Sequence, residues 1–253
     1  LKSSIVDNYG NIFVGGRMQH SSGSYFAFIR KYSTTNLTFV DEEISSSNHP
    51  GNHTSNRLYD IVSDGSGGVY LAGIYQDDMT IGGIYLSPDQ SDNEQGFVFH
   101  WNSSGNVPWA NSIGDINESN LDDFASSIIV DQNNDILVAG ILKLYNGTQQ
   151  MSKFFIKRYN TGGILMTTVE SIELNNTWYS TWGIKINTDN NGNIYLFTGS
   201  DHDNFAFNSF TLDKIIAGAS HILYKMDINF SVLDAINFGT GERYADQIIT
   251  LSN

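Results

Sequence analysis

Carboxylates and amides alternate in two short segments of this chain. Asp189-Asn190-Asn191-Gly192-Asn193 and Asp131-Gln132-Asn133-Asn134-Asp135 both set hard oxygen donors at the first, third and fifth positions. Calcium loops space their ligands this way, which makes Asp131, Asn133, Asp135, Asp189, Asn191 and Asn193 calcium candidates. No bidentate Glu follows to complete such a loop, and tight hairpins ask for Asn and Gly anyway, because they need positive φ. Turn chemistry is therefore the preferred reading and calcium the alternative. Acidic clusters at Asp77-Asp78, Asp122-Asp123 and around His202, where Asp201 and Asp203 flank an imidazole, suit a cation or a basic partner. Trp178, Tyr179 and Trp182 are grouped closely enough to form a platform for stacking on sugar rings. His49 and His53 are four apart, but Pro50-Gly51 places them in a loop, away from the helical face that would pair them. The familiar zinc-protease, nucleophile-elbow, phosphate-loop and dinucleotide motifs do not occur. Two carboxylates held for glycoside hydrolysis remain an option, since the chain has 27 acids to choose from.

The elements that position these residues follow from composition and repetition. The chain has 253 residues, a formal charge of −14 and only 16% charged side chains. Its polarity comes from Asn, Ser, Thr and Gly, which suits strands and turns more than helices. Such an acidic surface argues against a nucleic-acid partner. With no cysteine there is no disulfide framework, thiolate metal site or thiol nucleophile. No apolar run reaches the roughly 18 residues of a membrane span, and no signal peptide is visible. A start at Leu1 rather than Met reads as a processed chain or a piece of something longer.

Four segments repeat one pattern of apolar strand, Asp, polar turn, apolar strand and Gly, and their register marks are Asp7, Asp64, Asp131 and Asp189. A second block recurs downstream of each mark: 27–32, 96–101, 154–159 and 221–226. A short turn and another apolar run follow it, at 37–40, 107–110, 164–167 and 232–235. One repeat is thus four short strands, A to D, and no window carries a helical period. Repeats two and four share an insert between strands B and C, at 79–86 and 205–212. Four-stranded units repeated along a chain predict a β-propeller. The expected fold is all-β, with four full blades at about 1–56, 57–123, 124–181 and 182–243. The first strand of a fifth lies in 244–253, so a larger ring of seven or eight blades is expected. Further blades of the same or another chain would complete it.

The blocks at 188–199, 205–212 and 221–233, and after them 130–140 with 154–165, resemble the seven-bladed β-propeller repeat proteins of bacteria and archaea. That resemblance implies a large, acidic, exported or surface-attached protein without a known enzymatic role, and it supplies no catalytic residues.

In a propeller the A–B and C–D turns share one face, while the B–C and D–A connections share the other. Those connections are long and irregular here, and most of the 27 acids are assigned to them, including Asp41, Glu42, Glu43 and Glu170. The expected function is a non-catalytic, extracellular or cell-surface module that presents an acidic loop face to a protein or glycan partner. It has no required cofactor, with calcium as an option. The alternatives are a glycan hydrolase or lyase with carboxylates in the central funnel, and an architectural subunit of a filament or surface layer. Sequons at Asn36, Asn102 and Asn229 share the C–D turn, where glycosylation is feasible. Strand-C aromatics recur at one repeat position and are read as packing between units.

Overall fold

The computed structural model describes residues 1–21, 23–47, 55–76, 78–87, 94–114, 122–145, 148, 150–171, 174–175, 184–200, 204–207, 210–213 and 220–240. All regular structure among them is β, in antiparallel sheets that follow one another along the chain. No helix is long and apolar enough to cross a membrane.

Sheet one runs in the order β1 (Ser3–Val6), β2 (Asn11–Gln19), β3 (Tyr25–Ser33), β4 (Phe39–Ile44). Sheet two has β5 (Arg57–Ser63), β6 (Val69–Gln76), β9 (Glu94–Trp101) and β10 (Trp109–Ile113). Between β6 and β9 comes a small hairpin of β7 (Met79–Ile81) and β8 (Ile84–Leu86). Sheet three has β11 (Phe124–Val130), β12 (Ile136–Tyr145), β13 (Gln150–Tyr159) and β14 (Leu165–Glu170), with the short β15 (Leu174–Asn175) also paired to β13. Sheet four has β16 (Lys185–Thr188), β17 (Ile194–Ser200), β20 (Ser220–Met226) and β21 (Val232–Thr240), with its own hairpin of β18 (Asn204–Phe207) and β19 (Phe210–Asp213).

The strands are apolar on both faces because each inner sheet is covered on both sides. In β12, Leu137 and Ala139 pack toward sheet four, while Ile136 and Val138 pack toward sheet two. Between sheets one and two, Phe13 and Ile29 meet Leu58, Phe97, Phe99 and Trp101. The Phe13 and Trp101 rings meet edge-on at 5.9 Å. Burying one such large side chain contributes about 1.5–3 kcal/mol. The strand-C aromatics Phe97, Phe99, Trp101, Phe155 and Tyr159 are all buried in these layers.

The Gly that closes each strand-B motif has a steric reason in the middle sheets. A Cβ at Gly73 would lie 2.1 Å from the Arg57 carbonyl oxygen, and one at Gly140 would lie 1.8 Å from that of Phe124. The neighbouring first strands are bulged there, between Leu58 and Asp60 and between Ala125 and Ser127. Only a bare backbone admits the bulge, which lies directly before Asp60 and Ser127.

The fourth strands differ from the sequence reading. Each was expected to end early, but β4 runs to Ile44 and β14 to Glu170. Asp41, Glu42, Glu43 and Glu170 therefore lie on strands and not in D–A loops. Cross-strand charge explains it in β4: Asp41 faces Lys31 and Glu42 faces Arg30. Arg30 donates to Glu42 at 2.9 Å, and Lys153 pairs with Glu170 at 3.4 Å. Strand D is thus an outer strand whose acids match bases on strand C.

Candidate functional site

The A–B turns are built on one hydrogen-bond pattern. Asp7 Oδ1 accepts from the backbone of Tyr9 and Asn11, both at 2.8 Å. Asp64 Oδ1 accepts from Ser66 at 2.7 Å and Gly68 at 2.9 Å. Asp131 takes Asn133 at 2.8 Å and Asp135 at 3.0 Å, and Asp189 takes Asn191 at 3.0 Å and Asn193 at 2.8 Å. The C–D turns repeat it at Asn102, Asn160 and Asp227. Position four of the A–B turns has positive φ, at Gly10, Gly67, Asn134 and Gly192. This accounts for the Asp, Asn and Gly of the turns by backbone satisfaction.

The second oxygen of these carboxylates also has company. Asn193 Nδ2 donates to Asp189 Oδ2 at 2.7 Å, and the Tyr195 hydroxyl donates to it at 3.0 Å. His100 Nε2 lies 2.8 Å from Asp64 Oδ2, and an Arg158 guanidinium nitrogen lies 3.7 Å from Asp131 Oδ2. His100 and Arg158 align with Lys31 and Lys225 in the strand-C block, so every repeat has a basic residue at this position. Burial would push the Asp64 carboxyl up, but bonds from His100, Ser66 and Gly68 outweigh it and hold it at about 2. In sheets two and three a basic side chain approaches that second oxygen, within hydrogen-bond distance at Asp64 but only at ion-pair distance at Asp131, whose buried Oδ2 accepts no hydrogen bond among the described residues. Asn193 turns its amide nitrogen, not its oxygen, toward Asp189. No group of three metal-ligating side chains occurs among the described residues.

The loop acids fall into two groups. Asp77, Asp201, Asp203, Trp178, Tyr179 and Trp182 lie outside the described residues, as does the fifth-repeat strand in 244–253. Asp78, Asp122 and Asp123 are described, and all three accept hydrogen bonds from the chain itself. Asp78 is buried and accepts from the Ser47 hydroxyl. Asp122 Oδ1 accepts from the Glu94 amide at 3.1 Å, and Asp123 Oδ1 from the Lys143 amide at 2.8 Å. The Asp123 amide donates in turn to Glu94 O at 2.7 Å, tying sheet three to sheet two. Asn56 does the same one repeat earlier, with its amide on Tyr25 O at 2.9 Å and its Oδ1 accepting from Gln76 N at 3.2 Å. Glu94 also pairs with Arg57, while its burial pushes its carboxyl up. Among the sequons, Asn36 and Asn229 are exposed. Asn36 Oδ1 accepts from Thr38 Oγ1 at 2.7 Å, and Asn102 Oδ1 holds its turn.

A polar column on the first strands was not singled out in the sequence. Ser3, Asp60, Ser127 and Lys185 each stand four residues before the Asp of their A–B turn. The four first strands bring them together. Asp60 Oδ1 accepts from Ser3 Oγ at 3.2 Å, and Asp60 Oδ2 from Ser127 Oγ at 2.9 Å and the Ile128 amide at 3.2 Å. Lys185 Nζ lies 3.8 Å from Oδ2, and the Ile186 amide donates to Ser127 Oγ at 3.4 Å. One carboxylate thus links first strands from four sheets. The signal was present: one repeat column holding an acid, a base and two hydroxyls.

Against known proteins, the chain matches no protein-family model and no curated protein.

Proposed function

We propose that the four sheets are consecutive blades of a β-propeller that acts as a non-catalytic interaction scaffold. Its B–C and D–A loop face engages a protein or glycan partner, in an exported or cell-surface setting. The blade reading is supported by the first strands, which lie side by side from β1 to β5 to β11 to β16. It is also supported by the core layers between successive sheets and by the resemblance of the repeat. The exported setting rests on that resemblance together with the acidic, charge-poor composition.

One observation carries the non-catalytic part. Asp60, Asp78, Asp122 and Asp123 each hold the chain's own donors. A glycosidase pair needs two carboxylates facing a common gap, one of them with a free lone pair. The described first-strand column offers a single carboxylate, already held by two hydroxyls and an amide. The test is a panel of neutral and acidic oligosaccharides, scored both for retention by the chain and for release of reducing ends. The scaffold reading expects no release by the wild type. Release that disappears in Asp60→Asn would overturn it.

A further inference from the structure

We propose that the A–B turn of sheet three binds a calcium ion between the carboxylates of Asp131 and Asp135. The site belongs to a single hairpin, so it stands whether or not the four sheets form a propeller.

The other three A–B turns supply the comparison. In each, Oδ1 of the first residue shapes the turn, and Oδ2 meets a side chain. Asp7 Oδ2 accepts from Asn11 Nδ2 at 2.7 Å, and Asp189 Oδ2 from Asn193 Nδ2 at 2.7 Å. Turn two has Gly68 at position five, and His100 Nε2 stands 2.8 Å from Asp64 Oδ2 instead. Turn three departs from all of these. Its position five is Asp135, which has the shape of the Asn in turns one and four but no proton to donate when ionised. The Asp131 side chain is 0% exposed, and its Oδ2 accepts no hydrogen bond among the described residues. A buried anionic oxygen is costly in that state unless a positive charge meets it.

Arg158 meets that need only in part. Its guanidinium nitrogen lies 3.7 Å from Asp131 Oδ2 but donates to the Ile228 carbonyl, and the group sits 4.6 Å over the Phe230 ring. One guanidinium also offsets only one of two carboxylates. Burial pushes the Asp135 carboxyl up and the Asp131 charge adds to it, with Arg158 opposing both. Two acids thus compete for the place that the Asn193 amide fills in turn four. Both offer oxygen alone, which suits a hard cation and not zinc. Asp135 is half-buried, so an ion can enter from its side and keep water in its shell. Calcium accepts such irregular sites, whereas magnesium demands near-ideal octahedral geometry. With two carboxylates and a guanidinium beside them, the affinity belongs to the weak end of calcium sites, with Kd about 10⁻⁴–10⁻³ M.

The test is the melting temperature of the 253-residue chain in chelator, in about 10 mM calcium and in about 10 mM magnesium, at matched ionic strength. Calcium should raise the wild-type Tm by about 3–10 °C, and magnesium should raise it less. In Asp135→Asn the new amide can donate to Asp131 Oδ2 as Asn193 does to Asp189. That variant should melt above the wild type in chelator and lose the calcium shift. Asp227→Asn removes the same charge from a turn that Asn102 and Asn160 build elsewhere with an amide, and it should keep the shift. A wild type indifferent to calcium, as when the two carboxylates share a proton instead, overturns the proposal. So does a shift that survives in Asp135→Asn, or one that Asp227→Asn abolishes equally.

Discussion

Asp64 shows how one carboxylate does three things at once. Its Oδ1 shapes the turn through Ser66 and Gly68, and its Oδ2 faces His100, whose ring lies against Tyr70 at 4.5 Å. The folded-state value of about 2 lies below the ordinary 3.8. A depressed carboxyl contributes stability above its unfolded value, and that stability is lost as pH falls through the folded one. Between about pH 4 and pH 2, denaturant-measured stability of the wild type should therefore fall, while Asp64→Asn should lose this part of the decline. Asn102 and Asn160 build the same turn with an amide, so Asp64→Asn should keep the hairpin. Asp64→Ala leaves two amides without their acceptor and should cost about 1–3 kcal/mol at every pH. A flat wild-type profile would contradict this. Phe230 is the residue the repeat does not explain by itself: it takes φ of 65° where Gly105 and Gly163 stand in other turns. Its compensation is burial, with the Arg158 guanidinium 4.6 Å over the ring.

Strands A, B and C could be read directly from the sequence, because one apolar rhythm and one turn recur in every repeat. The ends of strand D could not. In β4, Asp41, Glu42 and Glu43 look like loop residues until Lys31 and Arg30 are placed across from them, and such pairing belongs to two strands at once. The first-strand column was hidden similarly, since Asp60 is ordinary until aligned with Ser3, Ser127 and Lys185. The inserts were visible as segments, but their role was not. Thr80 pairs with Ser46, just past the end of β4, and Phe207 with Ser171, just past the end of β14. Each even sheet thereby clasps the odd one before it. Between sheets the smaller clamps matter too. Asn56 is fully buried and accepts from the Gln76 amide. Asn56→Ala should cost about 1–3 kcal/mol. That corresponds to about 2–4 °C of Tm per kcal/mol for a chain of this size. It should also speed hydrogen exchange at Gln76 more than at core amides of sheet four. Uniform exchange changes across all sheets would argue against a local clamp.

At the scale of the molecule, the charge of −14 is distributed over more than one surface. Part belongs to turns, part to the outer strands, and part to loop residues that tie neighbouring sheets together. The central claim is that the sheets fan out from a shared inner edge, where Asp60 joins the first strands. The absence of cysteine makes that claim directly measurable with paired spin labels, diluted with unlabelled chain so that only distances within one copy are read. One pair sits on the inner strands, Ser4→Cys with Lys185→Cys, and the other on the outer strands, Val40→Cys with Leu233→Cys. Strand D lies three strand spacings out from strand A, about 14 Å at roughly 4.8 Å each. A fan places the outer labels about 15–30 Å farther apart than the inner ones. Sheets stacked face to face at about 10 Å would give both pairs nearly the same separation, about 30 Å, and that result would contradict the account.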